Sequence, residues 1–167
     1  VLYATFSDLA RTAPGGWLEL AQRAGCGPQV GAALFEAVAT GGELDAWDAE
    51  PVAEATHGVA QLLDTLERTS RHADTYIVPR YGQRLSPELV AGSDLPTVVA
   101  TIALRRLYGH AATEDMRRAT DWADKYLADL AAGRASLGTP DVQDNDPETR
   151  WDFSERRASD DALAGYR

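Results

Sequence analysis

The stretch from Val52 to Ile77 reads VAEATHGVAQLLDTLERTSRHADTYI, and its apolar positions Val59, Leu62, Leu63, Leu66, Ala73 and Ile77 recur at steps of three, four and seven. With 3.6 residues per turn, that spacing puts them on one stripe of a single long amphipathic helix. Pro79 is expected to end it, because proline has no amide hydrogen to donate and its ring collides with the turn before it. A helix of this length in a chain of 167 residues needs other elements to cover its stripe, and the flanking sequence supplies more helices.

On the C-terminal side, Pro79 to Pro96 holds Gly82, Pro87, Gly92 and the Ser93-Asp94 pair. It is expected as a connecting loop and contact surface with one turn of helix at Pro87 to Val90. Ser93 or Asp94 then caps a helix through Val98, Val99, Ile102, Ala103, Leu107 and Tyr108, whose nearly continuous apolar stripe marks the centre of the core. Thr113 caps a last long helix in which Met116, Ala119, Trp122, Ala123, Tyr126, Leu127 and Leu130 face one way, with Gly133 as its C-cap. On the N-terminal side, Ser7 is expected to cap a short helix ending near Pro14. Trp17 to Ala24 form a second helix stopped by Gly25 and Gly27, and Ala33, Leu34, Ala37 and Val38 a third, broken by Gly41 and Gly42 before an acidic loop.

The expected fold is therefore all-α, a bundle of four to five helices over residues 1–138, followed by an extended C-terminal tail over 139–167. Thr139 to Arg150 is polar with two prolines and buries too little apolar surface to order itself alone. Trp151, Phe153, Leu163 and Tyr166 follow it and are costly to leave in water, so they are candidate docking residues on a partner. Arg80 and Tyr81, placed after the long helix and before a loop, are candidates for the same kind of contact. Packing of Tyr81 on its own bundle and capping of the helix end by Arg80 is the alternative.

The chain carries 26 acidic and 16 basic residues, a formal charge of -10. Such a surface does not suit nucleic acid, whose binding relies on Lys and Arg releasing counterions. Charge is also unevenly placed. No basic residue lies between Arg23 and Arg68, where Glu36, Glu43, Asp45, Asp48, Glu50, Glu54, Asp64 and Glu67 fall, whereas Arg68 to Arg134 holds ten basic residues against eight acidic. This pattern is either a solvated face or a pair of opposite patches that meet between identical subunits.

Nothing in the sequence marks an active site. His57 and His72 are fifteen residues apart on the long helix, about 22 Å at 1.5 Å per residue, and with His110 are expected at the surface or at helix caps. Cys26 is the one cysteine and has no nucleophile motif around it. No nucleotide-binding loop, nucleophile elbow or H-E-x-x-H helix is present. Asp141 to Asp146 with Asp152 mimics a calcium loop but has Gln143 at the third position, Asp146 where the turn needs glycine and Asp152 where glutamate normally ligates. No enzyme activity, metal or cofactor is expected. Arg105-Arg106 and Arg117-Arg118 suit an acidic partner, although helix neighbours point in different directions and one of each pair is expected to face solvent. Val1 to Leu9 lack the basic start and apolar run of a secretion signal, and no eighteen consecutive apolar residues occur, so the protein is expected to be cytosolic when made.

Tyr3-Ala4-Thr5 with Asp8-Leu9, Asp74, Tyr76 and Arg80-Tyr81, Ile102-Ala103 with Arg106-Leu107-Tyr108, Ala131 to Gly138, and Phe153-Ser154 with Leu163, Gly165 and Tyr166 occur in one order along the chain. Together they resemble a Mu-like prophage family of small head-region proteins, similar to the helical head-to-tail connectors, or adaptors, of long-tailed phages. Gly25 to Glu50 depart from the resemblance, being longer and richer in glycine. The resemblance implies a virion protein at the head-to-tail interface. Its subunits would form a homo-oligomeric ring, twelvefold by analogy with connectors. The ring would bind the portal protein on one side and a tail-completion or tail terminator protein on the other, with packaged DNA passing through unbound. A monomeric binding module or assembly chaperone for another phage protein is the alternative.

Overall fold

The computed structural model describes residues 2–82 and 85–137, and among them every regular element is helical. The α-helices are α1 (Phe6–Thr12), α2 (Gly16–Arg23), α3 (Ala32–Thr40), α4 (Ala49–Tyr81), α5 (Pro87–Ala91), α6 (Leu95–Tyr108) and α7 (Glu114–Ala131), with a 3-10 turn at Gly109–Ala111. The all-helical expectation holds. The described residues contain seven α-helices, more than the four to five given for the bundle, since each short helix and the turn at Pro87 expected from the sequence stands as an element of its own.

Helix α4 is the spine, 33 residues and about 50 Å long at 1.5 Å per residue. It does not stop at Pro79 as expected. Pro79 lies two residues before the end, so its missing amide costs one bond in the last turn, and Gly82 at φ 67° closes that turn by donating to the Val78 carbonyl at 2.9 Å. The N-terminal half of α4 packs on α2 and α3. Its C-terminal half packs on α6 and α7. Arg106 near the end of α6 reaches Thr69, Arg105 reaches Asp124, and Arg80 reaches Leu130, so α4 and α7 run in the same direction with α6 opposed to both.

Every residue of α6 from Val98 to Leu104 is buried, as a helix covered on all sides must be. Its one polar member there, Thr101, donates its hydroxyl to the Thr97 carbonyl at 2.8 Å. Around it, Leu9, Leu62, Leu66, Ile77, Leu127 and Leu130 are fully buried, each contributing about 1.5–3 kcal/mol relative to exposure. The seam of α7 is narrower than its pattern suggests. Thr120, Ala123, Leu127 and Leu130 are buried, whereas Ala119 is exposed and Trp122 is 46% exposed.

Helix α1 begins two residues earlier than a cap at Ser7 would place it. Thr5 is the N-cap, its hydroxyl accepting from the Asp8 amide at 3.2 Å while the Asp8 carboxylate accepts from the Thr5 amide at 2.8 Å. A reciprocal box satisfies two amides at once, which a cap at Ser7 could not match. Just before it, buried Tyr3 donates its amide to the Ser70 hydroxyl at 3.2 Å and its own hydroxyl to Asp74, fastening the N-terminus to α4.

Candidate functional site

Three surface regions hold the chemistry that the fold leaves available. The first lies in the elbow between α6 and α7. Gly109 takes φ 51° and ψ -124°, a backbone conformation open to glycine and strained for other residues, and the chain reverses there. The reversal brings Arg117 of α7 beside Arg105 and Arg106 of α6, around a cavity of about 420 Å³ that Ala112 and Asp121 complete.

The three arginines are held differently. Arg105, with 24% of its side chain exposed, bonds Asp124 at 2.5 Å and lies 3.7 Å from Asp121. Arg106 is more exposed and donates to the Thr69 hydroxyl at 3.3 Å. Burial and the neighbouring Arg105 charge lower its pKa, against the pull of Asp124. Arg117 is exposed, and its side chain makes no hydrogen bond or ion pair among the described residues. Beside this group, burial first and then the Arg106 and Arg105 charges lower the His72 pKa against the pull of Asp124, which favours the neutral ring at pH 7. As expected for helix neighbours, Arg105 and Arg106 differ in exposure, yet the reversal at Gly109 lets both line one cavity. Reading each helix alone hides this. The signal was two arginine pairs on either side of a Gly109-His110 break.

The second region is the acidic end. Glu36, Glu43, Asp45, Asp48 and Glu50 are all exposed, and none has a cationic partner among the described residues. Glu54 is different, because it is half-buried and accepts from the Gly27 amide at 2.6 Å and from Gln29. The third region is an apolar cavity of about 520 Å³ bordered by Leu2, Phe6, Leu66, Pro87, Val90 and Pro96.

The residues expected at a contact are only partly within the described chain. Arg80 donates to the carbonyls of Leu130 and Ala135 at 2.5 and 2.6 Å, and its guanidinium lies 5.4 Å from the centre of the Tyr81 ring. It therefore holds the C-terminus of α7. Tyr81 is half-buried, and its buried hydroxyl has no hydrogen-bond partner among the described residues. Trp151, Phe153, Leu163 and Tyr166, and the stretch from Asp141 to Asp152, lie outside the described residues.

Burial, and then the Glu54 charge, raise the Cys26 thiol pKa, so the group is protonated at neutral pH and nothing nearby activates it. Among the described residues no group of three or more His, Cys, Asp or Glu could hold a metal ion, and no helix is long and apolar enough to cross a membrane.

Compared with known proteins, the family described as Bacteriophage Mu, Gp36 matches residues 3–155. No curated protein and no solved structure matches the chain.

Proposed function

Since the chain belongs to the Bacteriophage Mu, Gp36 family and is thus a phage protein, we propose that it is a structural subunit of the particle, a connector that forms a ring between the portal and the tail. The observation that carries this reading is the division of labour among its polar residues. Tyr3 with Asp74, Arg80 with Leu130 and Ala135, and Arg106 with Thr69 hold the helices together. What is left on the surface is an acidic end and an arginine-lined elbow, which suit binding better than catalysis. In this reading the protein is not an enzyme and needs no cofactor.

The proposed partners are copies of itself, the portal protein, and a tail-completion or tail terminator protein. Tyr81, backed by Arg80, and the aromatic set Trp151, Phe153, Leu163 and Tyr166 are the proposed contacts. Acidic charge toward a central channel would keep DNA from adhering as it passes. The working location is the virion, after assembly in the host cytoplasm. A second reading, an assembly chaperone, draws support from the apolar cavity beside Leu66 and Val90, which could take an apolar segment of a client.

Deleting the gene from the phage separates the two. A connector predicts complete heads and complete tails that fail to join, restored by adding the purified protein to the extract, with the protein present in finished particles by mass spectrometry. A chaperone would be absent from finished particles. Normal joining without the protein overturns the connector reading.

A further inference from the structure

The elbow between α6 and α7 and the acidic end of the molecule are both charged, both exposed, and too far apart to meet within one chain. Arg106 on the rim of the elbow touches Thr69, whereas Asp48 caps the start of the same helix. Those two positions are 21 residues apart on a continuous α4, a separation of about 30 Å at 1.5 Å per residue. Among the described residues the guanidinium of Arg117 is left over after Asp121 and Asp124 have engaged Arg105, and the cavity of about 420 Å³ is wide enough for a carboxylate side chain. At the other end, Glu43, Asp45 and Glu50 are exposed and have no cationic partner among the described residues, in a stretch that has no Lys or Arg from Ala24 to Glu67.

We propose that the arginine-lined elbow of one copy receives the acidic end, Glu43 to Glu50, of a second copy of this chain. The inference rests on the ring-forming reading above and names the contact that would build the ring. Used head to tail, a contact between two different patches repeats from copy to copy and closes into a ring or runs on as a filament, whereas the same patches paired reciprocally across a two-fold axis would stop at a dimer. Arg117 and Arg106 supply the attraction, and Arg105, oriented by Asp124, completes the positive wall. Because the carboxylates and Arg117 are exposed in the free chain, the contact weakens steeply as salt rises through the range where the screening length falls to about 10 Å and below.

Charge reversal in the full-length chain tests this without the portal. One variant carries Arg117→Glu, the other Glu43→Lys, Asp45→Lys and Glu50→Lys; none of these side chains is buried, and circular dichroism checks that both variants fold. Wild-type chain at low salt is expected to self-associate in sedimentation velocity, and each variant alone to do so at least about tenfold more weakly. Mixed together, the two variants are expected to regain wild-type association, because each then offers a surface that the other's reversed surface fits. A wild-type chain that stays monomeric to millimolar concentration at low salt overturns the proposal, as does unchanged association of either variant or a mixture that does not recover. A fluorescent DNA duplex is titrated in parallel. Binding of that duplex to wild type and not to Arg117→Glu, with self-association unaltered, would make the elbow a phosphate site and also overturn it. Failure here leaves the connector reading intact, since that reading is judged by tail joining.

Discussion

Single side chains in this protein are constrained most tightly where helices approach one another. At Gly58 on α4, a Cβ would lie 2.6 Å from the Cys26 sulfur, 3.0 Å from Phe35 Cε2 and 3.2 Å from Ala24 Cβ, so the α2–α3 layer rests directly on helix backbone. Alanine there gains about 1 kcal/mol of helix propensity. It also forces the sulfur and the phenyl ring aside, at about 1–3 kcal/mol. Gly58→Ala is expected to lower stability by about 1 kcal/mol in urea unfolding, and adding Cys26→Ala to recover most of that loss. If the double variant is no better than the single, the sulfur is not the obstacle. Asp8 gives a second test at this scale. Burial tends to raise its pKa, but hydrogen bonds from the Thr5 amide and hydroxyl and the Arg11 charge outweigh that and hold it below the usual carboxylate range. A carboxylate whose folded pKa is depressed stabilises the fold above its unfolded value of about 3.9 and loses that contribution as pH falls through the lower folded value. The capping box should therefore weaken below about pH 4. Asp8→Asn should cost about 1 kcal/mol at pH 7 and much less at pH 2, measured by thermal unfolding at both.

Helix ends decide how the elements join. Helix α7 finishes with Gly133 at φ 77°, whose amide donates to Leu130 while that of Arg134 donates to Asp129 at 2.8 Å, a pairing that satisfies two terminal carbonyls. Arg80 from α4 then donates to the Leu130 carbonyl and to Ala135, placing a positive charge at the negative end of the α7 dipole. This bond ties the ends of two parallel helices together. Arg80→Ala is expected to destabilise the protein by about 2 kcal/mol, the usual range for hydrogen bonds from a charged group, with Arg80→Lys recovering only part because an ammonium lacks the planar fork. Tyr81→Phe removes only a hydroxyl that has no partner among the described residues, so it should leave stability unchanged or slightly raised. Loss of assembly by Tyr81→Ala in a chain that still melts normally would assign the ring to a contact. An equal fall in melting temperature for Tyr81→Ala and Arg80→Ala would assign both to the bundle.

For the whole molecule, the question is where the stable unit ends. Leu137 is buried and Ala135 accepts from Arg80, so the chain packs on the bundle as far as Leu137, and we propose that the stable unit ends at Gly138. Cutting the chain after Gly138 should then leave helical content and melting temperature nearly unchanged. It removes Trp151, Phe153, Leu163 and Tyr166, whose burial on a partner would each supply about 1.5–3 kcal/mol, so the truncated protein should be missing from purified heads. A large fall in melting temperature would place those aromatics in the subunit's own core. A truncated chain that still enters heads and supports tail joining would make them dispensable for docking.

Much of this architecture was legible along the chain because helical periodicity is a local property. The three-and-four spacing around Leu62, Leu66 and Ile77 marked α4, the unbroken stripe from Val98 to Ala103 marked a central helix, and Thr113 marked the start of α7, as the structure has them, while the C-cap expected at Gly133 is Ala132, with Gly133 taking the left-handed turn just after it. Pro79 misled because the cost of a proline depends on how many turns follow it, and here almost none do. Trp122 misled because which flank of a stripe is covered depends on where the neighbouring helix crosses. The elbow lay beyond reach for the same reason. Arg105, Arg106 and Arg117 are ordinary surface residues on two helices until the turn at Gly109 folds one helix back on the other. Sequence by itself determined the helices, because each is set by residues within a few turns of one another. Tertiary structure alone decided which charges face one another, because that depends on chain reversals and crossing angles set by packing between residues far apart along the chain.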